Sequence, residues 1–274
     1  MNNTNPLPLR LMKRELAIIL LFAVLCVISG CGTLGSDFNV FSIEDDKALG
    51  RQVVAEMESD SSKMVLLDSV EHHQVYAYLY AVRDTLLNSG VVKHKNDFPW
   101  RIRVIHDDST LNAFCAPGGY IYFYTGILKF LEAEDQLAGV LGHEMGHADL
   151  RHSTRQLTKM YGVQTLLSLV AGDRTLVKNI TSAIIALSFS RNHEKEADDC
   201  SVDYLCPTRY NADAGAGFFS KISQKGGKNP PEILSTHPDP GNRIEAYRQK
   251  KQQLGCQGSM DNKGRYQLML KMLP

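Results

Sequence analysis

The sequence predicts an α+β fold that is mainly helical. From Glu132 onward the chain reads almost continuously as helix. Upstream, only two stretches look like strands: Arg101–His106 alternates polar and apolar residues, and Tyr120–Tyr124 is a run of aromatics around one isoleucine. The composition is globular: of 274 residues, 43% are apolar and 22% charged, enough for one large core. Disorder and low-complexity repeats are excluded on the same figures. Lys+Arg and Asp+Glu number 30 each, so the chain lacks the basic excess of a nucleic-acid binder, and no such partner is expected.

The first element in order is an address. Arg10, Lys13 and Arg14 precede an unbroken apolar run, Leu16 to Ile28. The run is too short to span a bilayer comfortably and suits the apolar region of a signal peptide. Ile28-Ser29-Gly30-Cys31 then resembles a bacterial lipobox. That resemblance implies cleavage before Cys31, with diacylglycerol on its sulfur and an acyl chain on its new amine. Each buried methylene contributes about 0.8 kcal/mol, so three chains anchor durably to a membrane. Gly32, where an enteric-type sorting rule would read Asp as inner-membrane retention, favours the outer membrane. Residues 1–30 are therefore expected as a lipoprotein signal peptide and 31–42 as the lipidated Cys31 with its tether. Residues 43–256 are expected as the main folded domain, and 257–274 as a C-terminal tail.

Within that domain Ser42 caps a helix from Ile43 to about Glu58, with Glu44 and Asp45 in its first turn. Val70–Leu87 reads as a second helix, ended by Asn88-Ser89-Gly90. After the strand at Arg101–His106, Asn112–Pro117 leads through Gly118-Gly119 into Tyr120–Tyr124. Helices are then predicted near 133–154, 156–171, 175–205, 212–225 and 240–254.

The chemistry sits at His143-Glu144-Met145-Gly146-His147, an HExxH pattern. On a helix, residues i and i+4 lie about 40° apart, so both imidazoles face one point. Neutral imidazole nitrogens suit zinc, and Glu144 can take a proton from a water that attacks a carbonyl. Leu137, Val140 and Leu141 supply a buried face for this helix. A third ligand must come from elsewhere. Leu150 and Ser153 exclude the metzincin pattern, no NExxSD-like run follows, and no Gly-Cys ligand segment precedes.

Ser190-Arg191-Asn192-His193-Glu194-Lys195-Glu196-Ala197-Asp198 does match. With His143-Glu144-x-x-His147-x-x-x-Arg151-His152, it resembles metallopeptidase family 48. Asn112-Ala113-Phe114, Pro117-Gly118-Gly119-Tyr120 and Ser235-Thr236-His237-Pro238 with Arg243 extend the resemblance over most of 43–248. It implies a gluzincin zinc-peptidase domain with a small sheet beside the active-site helix, and one zinc per chain on His143, His147 and Glu194. It also implies Glu144 as the general base and Asp198 as acceptor from a ligating imidazole. Arg191 and His237 are expected as neighbouring or regulatory residues. His237 would either plug zinc's fourth position or stabilise the oxyanion. Cys115 stands where relatives more often carry an aliphatic residue.

The apolar stretches Gly162–Ala171 and Ile180–Phe189 are too short and too interrupted to span a membrane, so core packing is expected. Two readings of the strand Tyr120–Tyr124 stand side by side: an extended substrate adds beside it, with Asn112, Ala113, Tyr120 and Tyr122 as contacts, or it is a core strand whose aromatics simply pack. His152, read on a continuous helix, lies opposite His143 and is assigned structural hydrogen bonds rather than ligation. Cys206 is better placed to meet Cys256 than Cys200, with free thiols the alternative. The expected function is a zinc endopeptidase that degrades or trims misfolded or misassembled envelope proteins, lipid-anchored to the periplasmic side of an outer membrane. The competing reading is a chaperone-like factor for the outer-membrane assembly machinery, with latent or secondary peptidase activity.

Overall fold

A computed structural model describes residues 38–59, 64–170, 173–224, 232–238 and 242–274. The signal segment and Cys31 lie outside the described residues. Asn39–Pro274 forms a single unit.

Helix α1 (Ile43–Glu58) starts at a capping box: Ser42 Oγ accepts from Asp45 N at 3.1 Å, and Ser42 N donates to Asp45 Oδ2 at 2.8 Å. Helix α2 (His73–Leu87) follows, then strands β1 (Arg101–Ile105), β2 (Ala113–Ala116) and β3 (Tyr120–Tyr124). The strand order is β1-β3-β2. β1 runs parallel to β3, with Arg101 opposite Tyr120, and β2 runs antiparallel to it, with Ala113 opposite Phe123. Gly118 and Gly119 turn between β2 and β3 at φ of 77° and 79°, a left-handed conformation that glycine adopts without a Cβ clash.

Helices α3 (Thr125–Phe130), α4 (Glu134–Asp149), α5 (His152–Val170), α6 (Arg174–Ile185) and α7 (Arg191–Leu205) come next. They are followed by α8 (Ala214–Gln224), α9 (Ile233–Thr236), α10 (Arg243–Leu254) and α11 (Lys263–Leu270). The mainly helical α+β class is as expected, and several elements differ from the sequence reading. The predicted helix 133–154 breaks after Asp149, where Arg151 takes a positive φ of 61°. Tertiary contacts hold that turn: Arg151 Nε meets Asp46 Oδ2 at 2.6 Å, and its guanidinium also reaches Phe41 O. The predicted helix 175–205 is two helices, because Ser190 recaps the chain by accepting from His193 N. β2 is a strand that the sequence reading left unassigned. The expected tail folds as α11, whose Tyr266 and Met269 are fully buried and whose Tyr266 hydroxyl donates to Leu128 O at 2.6 Å.

The sheet separates two apolar clusters. Ile121, Phe123 and Cys115 face a core shared with α2 and α4. Phe114, Tyr120 and Tyr122 face a second cluster with Val53, Leu157, Ile180 and Ile184 from α1, α5 and α6. Fully buried leucines such as Leu79, Leu86, Leu137 and Leu141 each contribute about 1.5–3 kcal/mol to this packing. Ile180, Leu187 and Phe189 pack into the protein as expected, whereas the side chains of 163–172 lie outside the described residues. Among the described residues, no helix is long and apolar enough to cross a membrane.

Candidate metal centre

α4 is unusually small on one face, and that decides how close its neighbours come. A Cβ on Gly146 would lie 2.8 Å from Cys200 Cβ, and one on Gly142 would lie 3.2 Å from Ser201 Cα, both on α7. Gly139 makes the same approach to α8, where a Cβ would sit 2.7 Å from Gly215 N. These three glycines let α7 and α8 press against α4, so side chains from separate helices converge on one point.

That point is lined by His143 and His147 from α4, Glu194 from α7 and His237 at the end of α9. All four are buried. His147 Nε2 lies 3.0 Å from His143 Nε2 and 3.3 Å from Glu194 Oε1. His237 Nδ1 lies 3.2 Å from both His143 Nε2 and Glu194 Oε1. Four donors bound tetrahedrally at zinc–nitrogen distances sit about 3.3 Å from one another. The observed spacings match that figure. Three imidazoles and one carboxylate aimed at a shared centre also form a donor set that zinc takes.

The electrostatics fit a cation. Burial works to raise the Glu194 carboxyl, but His237, His143 and His147 together hold it well below the usual carboxylate range. Burial pushes His147 below the ordinary imidazole value, which favours the neutral ring a metal needs. His143 goes the other way, up to about 9: burial opposes its charge, but hydrogen bonds to Asp198 and Glu194 outweigh it. Burial raises the Glu144 carboxyl, only partly offset by His237 and His143. Neither Glu144 oxygen has a hydrogen-bond partner, and both are sealed from solvent. A buried carboxylate left free in this way is available to a water or substrate rather than engaged in the fold.

Asp198 stands one turn beyond Glu194. Its Oδ1 lies 2.9 Å from His143 Nδ1, so it can accept from that ring. Arg243 grips the same carboxylate from Nε and Nη2, both at 2.7 Å, and Tyr247 OH donates to it at 2.9 Å. Arg243 Nη2 also donates to Glu194 Oε2 at 3.0 Å, and Phe219 stacks 3.6 Å from the guanidinium carbon. Tyr247 was not singled out from sequence, although its spacing four residues after Arg243 places both on one face of α10. Phe189, stacked on His147 at 4.0 Å, was also missed, because an aromatic in an apolar run carries no signal of its own.

The remaining candidates divide. Asn112 is buried beside the site; its Oδ1 accepts from Thr236 Oγ1 at 3.4 Å, and the neighbouring Leu111 O accepts from Ile233 N. Ala113 starts the outer strand β2. The edge expected at Tyr120–Tyr124 is corrected, because β3 is the central strand and is hydrogen-bonded on both sides. Tyr120 and Tyr122 point into the α1 cluster, where Tyr122 OH donates to Glu58 Oε1 at 2.9 Å. Their phenols are committed to packing, and the outer strands are β2 and β1, the latter bonded in part to residues 65–67. Arg191, expected beside the ligands, is exposed at the start of α7, where side chains facing outward are not turned to the α4 contact. His152 has no place among the ligand atoms, but the break after Asp149 brings it to His147, which the continuous-helix reading did not foresee.

The space beside His143, Glu144 and His237 measures about 10 Å³, lined by Gly139, Val140, Phe218, Phe219 and Ile233. It holds about one water and no peptide side chain. His237 Nε2 stands 3.6 Å from Glu144 Oε1 and has no hydrogen-bond partner. Cys206 and Cys256 are joined by a disulfide, while Cys115 and Cys200 are free thiols.

Comparison with known proteins places these observations in a family. The family model described as Peptidase family M48 matches residues 73–251. The mitochondrial metalloendopeptidase OMA1 of Arabidopsis thaliana is 30% identical over 151 residues, 54% of this chain and 31% of that protein. The metalloprotease YcaL of Escherichia coli (strain K12) is 24% identical over 261 residues, 87% of this chain and 98% of that protein. The beta-barrel assembly-enhancing protease of the same organism is 27% identical over 186 residues, 61% of this chain and 38% of that protein. The chain thus spans well under half the length of the Arabidopsis OMA1 and of the Escherichia coli barrel-assembly protease, and nearly all of YcaL.

Proposed function

Because the chain belongs to peptidase family M48, we propose that it is a zinc-dependent endopeptidase that degrades or trims misfolded or misassembled proteins of a bacterial envelope. The observation that carries this is the buried convergence of His143, His147 and Glu194 beside a Glu144 carboxylate with no hydrogen-bond partner. Bound there, zinc would supply a Lewis acid that polarises the scissile carbonyl and acidifies water. Glu144 takes the proton of the attacking water and passes it to the leaving amine. Asp198, held by Arg243 and Tyr247, keeps the His143 proton on Nδ1 and its Nε2 lone pair toward the centre. An extended substrate adds along the outer strand β2, where Asn112 and Ala113 lie.

In the state described, the site is shut. His237 occupies the fourth corner of the ligand cluster, and α9 is tied to Leu111 and Asn112 at the entrance of β2. We read His237 as a plug that keeps the resting enzyme off. The same closure favours the second reading, an assembly factor whose peptidase activity is latent. The barrel-assembly protease among the relatives supports a link to outer-membrane assembly machinery by its name. The Cys206–Cys256 bridge supports an oxidising compartment such as the periplasm. Anchoring through Cys31 rests on the lipobox alone.

Two experiments test the proposal. Purified protein is expected to hold one zinc per chain and cleave an unfolded protein substrate. Glu144→Gln should keep the zinc and lose hydrolysis by several orders of magnitude, since only the base is removed. Activity within tenfold of wild type would sink the assigned mechanism. For the anchor, metabolic labelling with palmitate should mark the wild type and leave Cys31→Ala unlabelled; equal label in both rejects it.

A further inference from the structure

His147 turns Nε2 to the ligand cluster, so its other ring nitrogen faces away. That Nδ1 lies 2.9 Å from Nδ1 of His152, and Nε2 of His152 lies 3.0 Å from Oε2 of Glu196. With Glu196 ionised and both rings neutral, this chain has one self-consistent arrangement of protons. A carboxylate only accepts, so His152 carries its proton on Nε2 and keeps a lone pair on Nδ1. His147 must then donate from Nδ1, which leaves the lone pair on Nε2 pointing at Glu194 and His143.

We propose that His152 and Glu196 are positioning residues that hold His147 in the tautomer and ring orientation needed for metal binding. The proposal rests on the zinc reading above and gives a role to His152 and Glu196, which lie within the two motifs but are not ligands. Packing locks both rings in place. His193 stacks on His152 at 4.3 Å and 12°, and Phe189 stacks on His147 at 4.0 Å and 21°. His152 is fully buried, so without His147 and Glu196 its nitrogens would lack partners. The two α4 ligands are thus backed differently. His143 rests directly on the buried Asp198 carboxylate, whereas His147 reaches its carboxylate through a second imidazole. That distant carboxylate, on α7, is partly exposed and also lies 3.6 Å from Arg155. The arrangement exists only because α4 ends at Asp149. The turn through Arg151 folds His152 back onto the ligand two residues above that end.

The test reads zinc affinity by chelator competition, with thermal melting to verify the fold. His152→Phe keeps the stacked ring and removes both nitrogens; its zinc dissociation constant should rise about 10–100-fold. Glu196→Ala should weaken zinc by about tenfold. Glu196→Gln keeps an oxygen that accepts from His152 and should stay within threefold of wild type. Because Glu196 acts through His152, the double variant His152→Phe/Glu196→Ala should bind zinc no more weakly than His152→Phe alone. The zinc-loaded wild type should also show a downfield Nδ1–H proton resonance for His147, absent from His152→Phe. Unchanged affinity in a folded His152→Phe protein, or equal loss in Glu196→Ala and Glu196→Gln, overturns the proposal. If His152→Phe does not fold, the Glu196 pair decides, since that side chain is partly exposed. Wild-type protein that binds no zinc would instead reject the zinc reading, and this inference with it.

Discussion

His237 is the residue at which the two proposed roles part. Its Nδ1 stands with His143, His147 and Glu194 as a fourth neighbour in the cluster. A plug and an oxyanion donor make opposite demands on the same substitution. His237→Ala should keep zinc on three protein ligands and raise basal peptide hydrolysis severalfold, with self-cleavage appearing on gels. A fall of about 10²–10³-fold at unchanged zinc content would assign it to the oxyanion instead. Asn112 supports the plug. Expected as a substrate contact, it is engaged here by Thr236, so the α9 segment and a substrate would compete for the entrance of β2.

Helices meet at this site because one of them lacks side chains where they touch. Gly139, Gly142 and Gly146 recur at intervals of three and four on α4 and lie against α7 and α8. His143 and His147 occupy the same helix on the neighbouring stripe, so ligand geometry and helix packing are set together. Adding one methyl tests the coupling. Gly146→Ala would put a Cβ 2.8 Å from Cys200 Cβ and 3.1 Å from Ala197 O, contacts that only a shift of α7 can relieve. It should cost about 1–3 kcal/mol of stability and loosen zinc, because Glu194 rides on the displaced helix. Denaturant unfolding and metal analysis would check both. Wild-type zinc affinity in a destabilised variant would separate packing from ligation.

Across the whole molecule, the Cys206–Cys256 disulfide joins the end of α7 to the residue after the left-handed Gly255 that ends α10. Those helices carry Asp198 and Arg243, whose ion pair sits at the other end of the same packing. The bridge closes a loop with a sequence separation of 50 residues, which corresponds to about 4 kcal/mol in the loop-entropy account. Reduction, or Cys206→Ser with Cys256→Ser, should lower the unfolding free energy by about 2–4 kcal/mol. The measurement is a denaturant midpoint with and without reductant, and no shift in that midpoint would leave the bridge without a stabilising role.

The sequence by itself determined the chemistry. HExxH put two imidazoles on one helix face by periodicity alone, and the glutamate and aspartate of the second motif lie one turn apart on another. Ser42 capped α1 as its side chain requires, and the helical class followed from the pattern after Glu132. Local spacing suffices for such features because the groups share one element. What joins separate elements was decided only by tertiary structure. Arg151 turned left-handed because Asp46 and Phe41, more than a hundred residues earlier, receive its guanidinium. That turn, and not helix periodicity, carried His152 to His147. β3 became the central strand because β1 and β2 both bond to it, which took the outer edge away from the tyrosines. Such outcomes depend on contacts distant in sequence, and no local pattern of apolar and polar residues records them.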